Sequence, residues 1–141
     1  PYFATVDADF EILDPNFIYA MLQALDCDPI SVGMSTDYSP TRENCYETYS
    51  DRYITLHERW HTWFCIYKKE ANRCPVSHFY FEEKNEKDKM ICYDSAGYFQ
   101  KRLIEDFKFT FITLDRTYQP QFIHYGAFSK NRSINYKNIR R

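Results

Sequence analysis

Two histidines and a glutamate are the residues of this chain whose types and spacing could do metal chemistry. The segment HERWH holds His57, Glu58 and His61. On an α-helix, residues four positions apart lie one turn apart on the same face, so both imidazoles could bind one zinc ion. A carboxylate beside them would act as general base to a zinc-bound water. This chemistry requires a helix around the segment.

The segment resembles the H-E-x-x-H motif of the zincin metalloproteases over five of the 141 residues. The resemblance implies that His57 and His61 are zinc ligands and that Glu58 is the catalytic base. Two positions depart from the family pattern. Arg59 stands where zincins usually have an apolar residue, and Phe64 stands where the extended form of the motif has a glycine.

The apolar pattern of residues 52–69 favours a strand over a helix. Large apolar side chains recur on even positions, at Ile54, Leu56, Trp60, Phe64 and Ile66. Such alternation, with aromatic and β-branched residues, is typical of strands. In a strand, His57 and His61 lie about 13 Å apart, at ~3.3 Å per residue, which is too far for one ion. We therefore predict a strand and no catalytic zinc. The helix is the alternative, because its projection is also amphipathic.

The composition favours β structure in one domain. Aromatic residues make up 19% of the chain, with 13 Tyr and 12 Phe but only 3 Gly. Aromatic side chains suit pleated, half-buried surfaces, and the scarcity of glycine argues against a Gly-rich phosphate-binding loop. A chain of 141 residues has the usual size of one domain, so we assign residues 1–141 to a single domain.

The N-terminal part is predicted to contain a strand, a helix and a long loop. Residues 2–13 alternate loosely, as in a strand. A helix is predicted over 15–25, which places Phe17, Met21 and Leu25 on one face. Residues 26–50 are polar and are broken by proline and glycine, so we predict a loop there.

The C-terminal part is predicted to form paired strands with one helix between them. The segments 76–83 and 89–94 flank a charged turn, which indicates a hairpin. Ser95 can cap a short helix over 96–107. The segment 107–114 alternates strictly, and 121–128 is predicted to return as its antiparallel partner.

These elements together predict an α+β, β-rich fold. It would be an antiparallel meander of about five strands with an N-terminal helix and a short inserted helix. Such a sheet could close into a calycin- or lipocalin-like barrel. The alternative is a cystatin-like or cone-shaped sheet wrapped on a helix.

The cysteines and a glycosylation sequon favour a secreted protein. The chain has five cysteines, at 27, 45, 65, 74 and 92, and none forms a C-x-x-C pair. In a secreted chain we expect two disulfides and one free thiol. The sequon Asn131-Arg132-Ser133 and a chain that begins at Pro1 indicate a processed glycoprotein. The alternative is a cytoplasmic protein with reduced cysteines.

Charge is divided unevenly along the chain, whose formal net charge is −2. Residues 1–50 carry nine acidic and one basic side chain, whereas residues 101–141 carry three acidic and nine basic ones. We expect an acidic and a basic face on one fold and no nucleic-acid partner, because the basic C-terminal end makes a weak electrostatic footprint. No run of 18 apolar residues occurs, so no membrane span is expected.

These features predict a secreted binding protein rather than an enzyme, with no cofactor. Aromatic residues are too numerous for one small core, so we expect some to line a pocket for a small hydrophobic or amphipathic ligand. The candidate lining residues are Tyr53, Trp60, Trp63, Tyr67, Phe79, Phe81, Phe109, Phe111 and Tyr125, with Glu58 or His124 as polar anchors. One alternative is a secreted protein–protein interaction module, inhibitor or effector-like. The other is a minimal zinc metallopeptidase.

Overall fold

Twelve strands and two α-helices make up the described part of the chain. The computed structural model describes residues 1–47, 50–75, 80–94 and 96–125, and every structural statement below concerns these residues. The α-helices are α1 (Asn16–Cys27) and α2 (Gly97–Phe107), and 3₁₀-helices span Lys69–Arg73 and Arg116–Gln121. The strands are β1 (Tyr2–Val6), β2 (Phe10–Ile12), β3 (Ser31–Ser35), β4 (Tyr38–Ser39), β5 (Arg42–Glu47), β6 (Arg52–Leu56), β7 (Arg59–Trp60), β8 (Phe64–Lys68), β9 (Phe81–Lys84), β10 (Met90–Tyr93), β11 (Thr110–Thr113) and β12 (Phe122–His124). Within these ranges, no helix is long and apolar enough to cross a bilayer.

The first sheet has four strands in the order β1-β8-β3-β11. Strand β8 is antiparallel to both neighbours, with Ile66 opposite Ala4 on β1 and opposite Met34 on β3. Strand β11 runs parallel to β3, with Ile112 opposite Met34. The two inner strands are the most buried part of the fold, and all five residues of β3 are buried.

Helix α1 covers one face of this sheet. Its buried residues Phe17, Met21 and Leu25 recur every four positions, so they form a single apolar stripe. This stripe packs on every second residue of β8, Phe64 and Ile66, together with Met34 and Leu114. The apolar stripe that the sequence predicts for this helix is therefore confirmed.

Helix α2 covers the opposite face. The alternate residues of β8, Cys65 and Tyr67, point away from α1 and pack with Leu103 of α2. Phe99, Phe107, Phe109 and Phe111 border this second cluster. The sheet is thus buried between two helices rather than wrapped on a single one.

A β-bulge in β3 changes the face of the sheet to which successive side chains point. Its pairing with β11 shifts register between Thr110 and Phe111, which leaves Val32 as the extra residue. Val32 therefore lies in the α2-side cluster, whereas Met34 lies on the α1 side. At Gly33 between them, a Cβ would lie 2.5 Å from Cε1 of Phe111. The missing side chain lets the aromatic ring lie directly on the strand backbone.

The second sheet has the order β5-β6-β10-β9. Strand β6 is antiparallel to β5 but parallel to β10, where Leu56 lies opposite Cys92. Strands β9 and β10 form an antiparallel hairpin, with Glu83 opposite Ile91. Two short antiparallel pairs complete the fold, β2 with β12 and β4 with β7.

The predicted antiparallel meander is wrong, although a β-rich α+β fold is present. Strands that follow one another in sequence are mostly not neighbours, and both four-stranded sheets contain a parallel pair. Parallel neighbours need long crossover connections, which local turn signals do not reveal. Among the described strands the sheets are open, so they do not form the predicted barrel.

The predicted loop over 26–50 is also wrong. It contains β3, which is the inner strand of the first sheet, as well as β4 and β5. The sequence of β3 alternates Val32 and Met34 with small residues, but this short pattern lies in a polar segment broken by proline and glycine, so it was assigned to the loop. The expected strand over 2–13 is two strands, β1 and β2, with a turn between them.

Other predicted elements are present with changed ends. The segment 52–69 forms β6, β7 and β8 and is not an α-helix, although its last residue, Lys69, begins a 3₁₀-helix. The hairpin is confirmed for β9 and β10, whereas residues 76–79 of its first segment lie outside the described residues. Helix α2 is confirmed, but its predicted cap Ser95 also lies outside them. Strand β11 begins only at Thr110 and pairs with β3, whereas β12, in the described part of 121–128, pairs with β2.

All five cysteines lie in the described part of the chain, and all five are free. Cys65, Cys74 and Cys92 are buried, Cys45 is half-buried and Cys27 is exposed. The two predicted disulfides are therefore not formed in this structure. The prediction relied on a stapled loop over 26–50, whereas Cys27 lies at the end of α1 and Cys45 within a paired strand.

Candidate functional site

A cleft of about 70 Å³ opens between the β6–β7 turn and helix α2. We call it the α2 cleft. The turn contributes His57 and Glu58, and Trp60 follows on β7. The α2 side contributes one face of the helix, with Gln100, Lys101, Ile104 and Glu105. The cleft therefore combines Trp60 and Ile104 with several polar and charged groups, so its lining is more polar than that of a typical small-molecule pocket.

Gln100 fixes the aromatic wall of the cleft. Its side chain is 1% exposed, and its amide lies against the free edge of β7. The amide nitrogen donates to the Trp60 carbonyl at 2.6 Å, and the amide oxygen accepts from the Trp60 N–H at 2.9 Å. The side chain thus pairs with β7 as a neighbouring strand would. The Trp60 ring is packed between Tyr38 and Phe111, with ring centroids 4.8 Å and 5.0 Å away.

The β6–β7 turn holds His57 and Glu58 in defined orientations. Nδ1 of His57 lies 2.9 Å from the carbonyl oxygen of Glu58. A carbonyl only accepts, so this contact places the proton on Nδ1 and leaves Nε2 as an acceptor. The Glu58 carboxylate accepts from the Tyr38 hydroxyl at 2.5 Å. This hydrogen bond is the main reason that the pKa of Tyr38 is raised to about 12.

The charge of Lys101 is compensated by neighbours behind the cleft wall. Its ammonium donates to the Tyr93 hydroxyl at 2.8 Å and lies 3.1 Å from Glu83. Tyr93 in turn donates to Glu83, and this hydrogen bond is the main cause that lowers the pKa of Glu83. The carboxylates of Glu58 and Glu105 have no such cation beside them among the described residues. The uncompensated charge that faces the α2 cleft is therefore negative.

His57 and His61 lie in different environments. The His57 ring lies beside Tyr93, with ring centroids 4.8 Å apart. His61 is 5% exposed, stacks on Trp63 at 4.0 Å, and shares a hydrogen bond of 2.7 Å between Nε2 and the Ser39 hydroxyl. Burial lowers the pKa of His61 to about 4. Because the segment is extended, it does not present the helical face on which the zincin resemblance depends.

A second group of polar side chains surrounds His124. The ring of Trp63 lies between His61 and His124, with a centroid distance of 4.0 Å to each. Nε2 of His124 lies 3.3 Å from Asp9 and 3.7 Å from Asp7. One oxygen of each aspartate and one histidine nitrogen all lie within 4.8 Å of one another. Among the described residues, these three form the group that could hold a metal ion.

The structure distributes the eleven predicted binding residues over several places. Glu58 and Trp60 line the α2 cleft, while Phe111 and Tyr67 lie behind it, in and beside the α2-side core. Trp63 and His124 stack on each other away from the cleft. The other described residues are not brought to either place: Tyr53 is exposed beside Tyr46, Phe81 stacks on Tyr98, Phe109 stacks on Phe107, and Tyr125 donates to Glu11. Phe79 lies outside the described residues.

Several site residues were missed in the sequence. Gln100 and Lys101 lie on a predicted helix, but no local pattern distinguishes a buried glutamine from an exposed one. Tyr38 was assigned to the predicted loop. Asp7 and Asp9 lie in the turn between β1 and β2, and no local pattern indicates that this turn meets His124.

Exposed aromatic side chains lie on several elements. Tyr2 and Phe3 lie on β1, Tyr19 lies on α1, and Tyr46 and Tyr53 lie on β5 and β6.

Comparison of the chain with known proteins gives no match to a family model, to a curated protein or to a solved structure.

Proposed function

We propose that this protein is a binding protein whose α2 cleft accepts the cationic head group of a small amphipathic amine. The observation that carries the proposal is the meeting of Trp60 with two carboxylates, Glu58 and Glu105, at the mouth of one cleft. An ammonium group is attracted by carboxylates, and the indole ring, packed between Tyr38 and Phe111, adds an apolar wall beside them. The aromatic and polar groups expected of a binding site thus occur together here.

The charges that line the cleft favour a cation over an anion. The one lysine in the lining is already engaged by Glu83 and Tyr93. Glu58 is held in place by Tyr38, so its carboxylate stays oriented without a cation of its own. An anionic ligand would approach two uncompensated carboxylates, which costs free energy. A neutral ligand would gain only the contact with Trp60.

The size of the cleft limits what enters it. A volume of about 70 Å³ is well below the several hundred Å³ that usually hold a whole drug-sized ligand. The head group would therefore fill the cleft, while the apolar part of the ligand would lie across the outer surface of α2. Affinity should then depend strongly on the charge of the head group.

Tryptophan fluorescence can test this proposal directly. The Trp63→Phe variant leaves Trp60 as the single tryptophan of the chain, since the sequence contains two. We expect its emission to change on titration with phenethylamine and to stay unchanged with phenylacetate or 2-phenylethanol at equal concentration. These three probes share an aromatic ring and differ in charge. Equal responses to all three, or no response to the amine, would contradict the proposal.

A pair of glutamate variants separates site binding from general charge attraction. Glu58→Gln removes the charge but keeps an oxygen that can accept from Tyr38. Glu86→Gln removes one charge from the exposed turn between β9 and β10. We expect the amine affinity to fall at least several-fold in the first variant and to be unchanged in the second. An equal fall in both would show that only the net charge attracts the amine.

Secretion is part of the same proposal and rests on the sequon Asn131-Arg132-Ser133, which lies outside the described residues. Expression through a secretory route should add a glycan that is lost in Asn131→Gln. An unchanged mass in both proteins would remove this support.

A further inference from the structure

Asp7, Asp9 and His124 meet where the β1–β2 turn passes the end of β12. The three side chains are half-buried, and their donor atoms converge on one point. They come from two distant parts of the chain, which the pairing of β2 with β12 brings together. None of them belongs to the α2 cleft or to the HERWH segment.

The distances from His124 to the two aspartates are longer than those of a good charge-assisted hydrogen bond. A charge-assisted hydrogen bond from histidine to a carboxylate is usually about 2.7–2.9 Å long. Here Nε2 of His124 lies 3.3 Å from Asp9 and 3.7 Å from Asp7. Around a divalent ion with bonds of about 2.1 Å, neighbouring ligand atoms lie roughly 3.0–3.4 Å apart. The two distances from His124 are close to this range and all three donor atoms lie within 4.8 Å of one another, so a contraction would place them on one coordination sphere.

The two carboxylates lack other partners in the described structure. No lysine or arginine in the described ranges forms an ion pair with Asp7 or Asp9, and their side-chain oxygens accept no hydrogen bond there. A positive charge between two neighbouring carboxylates lowers their mutual repulsion. A bound cation would supply that charge, and the partly exposed position leaves room for water ligands.

The backbone around the group is held firmly. The Asp7 N–H donates to the Trp63 carbonyl at 2.9 Å, and the Tyr125 N–H donates to the Asp9 carbonyl at 3.0 Å. His124 lies opposite Phe10 in the β2–β12 pair, and its ring stacks on Trp63. The turn that carries both aspartates is therefore tied to its neighbours by backbone hydrogen bonds, and His124 lies in a paired strand, so little ordering entropy would be lost on binding.

We propose that Asp7, Asp9 and His124 bind one divalent first-row transition-metal ion, with water in the remaining positions. The imidazole nitrogen favours an ion such as Mn²⁺ or Zn²⁺ over Mg²⁺ and Ca²⁺, which prefer oxygen ligands alone. Three protein ligands with open positions are the arrangement of sites that exchange water or bind a further ligand.

Manganese is the most informative probe. Five free cysteines could bind Zn²⁺ elsewhere, whereas Mn²⁺ prefers carboxylate and imidazole ligands over thiolates. We expect chelator-treated full-length protein to bind one Mn²⁺ per chain, counted by electron paramagnetic resonance. Because Trp63 stacks on His124 at 4.0 Å, the bound ion should also quench Trp63 emission. This signal is measured in Trp60→Phe, where Trp63 is the single tryptophan.

Matched variants locate the ion. Asp9→Asn keeps the shape of the side chain and removes its charge, and we expect it to weaken Mn²⁺ binding roughly tenfold or more. Asp88→Asn is the control, because it removes an exposed aspartate from the β9–β10 turn at a position with φ 56°, which asparagine tolerates. His57→Ala tests the competing HERWH segment. Circular dichroism of each variant establishes that it is folded.

The possible results distinguish a site at Asp7, Asp9 and His124 from binding elsewhere or no binding. One Mn²⁺ per chain, weakened in Asp9→Asn and unchanged in Asp88→Asn and His57→Ala, supports the site. No bound Mn²⁺, equal binding in Asp9→Asn, or loss in His57→Ala would overturn it. Displacement by an equal concentration of Mg²⁺ would overturn the assignment to a transition-metal ion.

Discussion

Replacing Gln100 with leucine removes the amide that holds β7 while keeping a side chain of similar size. The amide makes two hydrogen bonds to the Trp60 backbone, of 2.6 Å and 2.9 Å, from a position that is 1% exposed. In Gln100→Leu the Trp60 N–H and carbonyl lose these partners, and an unpaired buried group costs about 1–3 kcal/mol. The apolar surface that leucine buries returns roughly 1 kcal/mol. We therefore expect the free energy of unfolding to fall by about 3 kcal/mol, a large part of the 5–15 kcal/mol that is typical of a domain.

Urea denaturation followed by circular dichroism measures this loss. Gln23→Leu, on an exposed position of α1, is the matched control and should change the free energy of unfolding by less than about 0.5 kcal/mol. Release of β7 should also shift the emission of Trp60 in the folded protein, because the ring would no longer be held between Tyr38 and Phe111. A loss below about 1 kcal/mol with an unchanged emission spectrum would refute the argument that Gln100 fixes the cleft wall.

Three further predictions concern the core, a histidine and the thiols. Gly33→Ala would place a Cβ 2.5 Å from the Phe111 ring and should lower the melting temperature, with a cost of about 1–3 kcal/mol that Phe111→Leu partly relieves. Burial holds the pKa of His61 at about 4, below its unfolded value of 6.5. Because the unfolded chain binds this proton at a higher pH than the folded protein does, the free energy of unfolding is fully retained above pH 6.5 and falls as the pH drops towards 4. The loss should be about 2 kcal/mol by pH 5, and His61→Asn should reduce the difference between unfolding free energies measured at pH 7 and pH 5. Burial raises the pKa of the Cys65 thiol to about 12, so thiol reagents at pH 8 should label the exposed Cys27 first and Cys65 only after denaturation. A single free thiol in the denatured, unreduced chain would contradict the free cysteines of this structure.

The sequence was most informative where a pattern belongs to one element. The stripe of Phe17, Met21 and Leu25 predicted α1, because a helix that covers a sheet needs one apolar face. The even-position alternation from Ile54 to Ile66 correctly indicated extended structure, although turns divide it into three strands. The charged turn between β9 and β10 predicted their hairpin, since hairpins are closed by local turn chemistry.

Structural features that depend on contacts between residues far apart in the sequence could not be predicted from local patterns. Strand β3 is buried on both faces by α1 and α2, but its short alternation lies in a polar segment that is broken by proline and glycine, and it was assigned to a loop. The parallel neighbours β3 with β11 and β6 with β10 have no turn between them that could mark the pairing. The same limit applies to the sites. The α2 cleft needs Gln100 next to Trp60, and the aspartate–histidine group needs β2 next to β12.

The parallel pairing of β3 with β11 also bears on how the chain reaches its native state. Strand β3 lies near the start of the chain, but both of its neighbours, β8 and β11, are synthesised later. Until its neighbouring strands are synthesised, an inner strand exposes unpaired backbone groups and apolar side chains to other chains. Closing the long segment between Met34 and Ile112 also costs chain entropy before any contact compensates for it. Folding should therefore be slow for a domain of this size. The nascent chain would be most prone to aggregate in the interval before β11 leaves the ribosome.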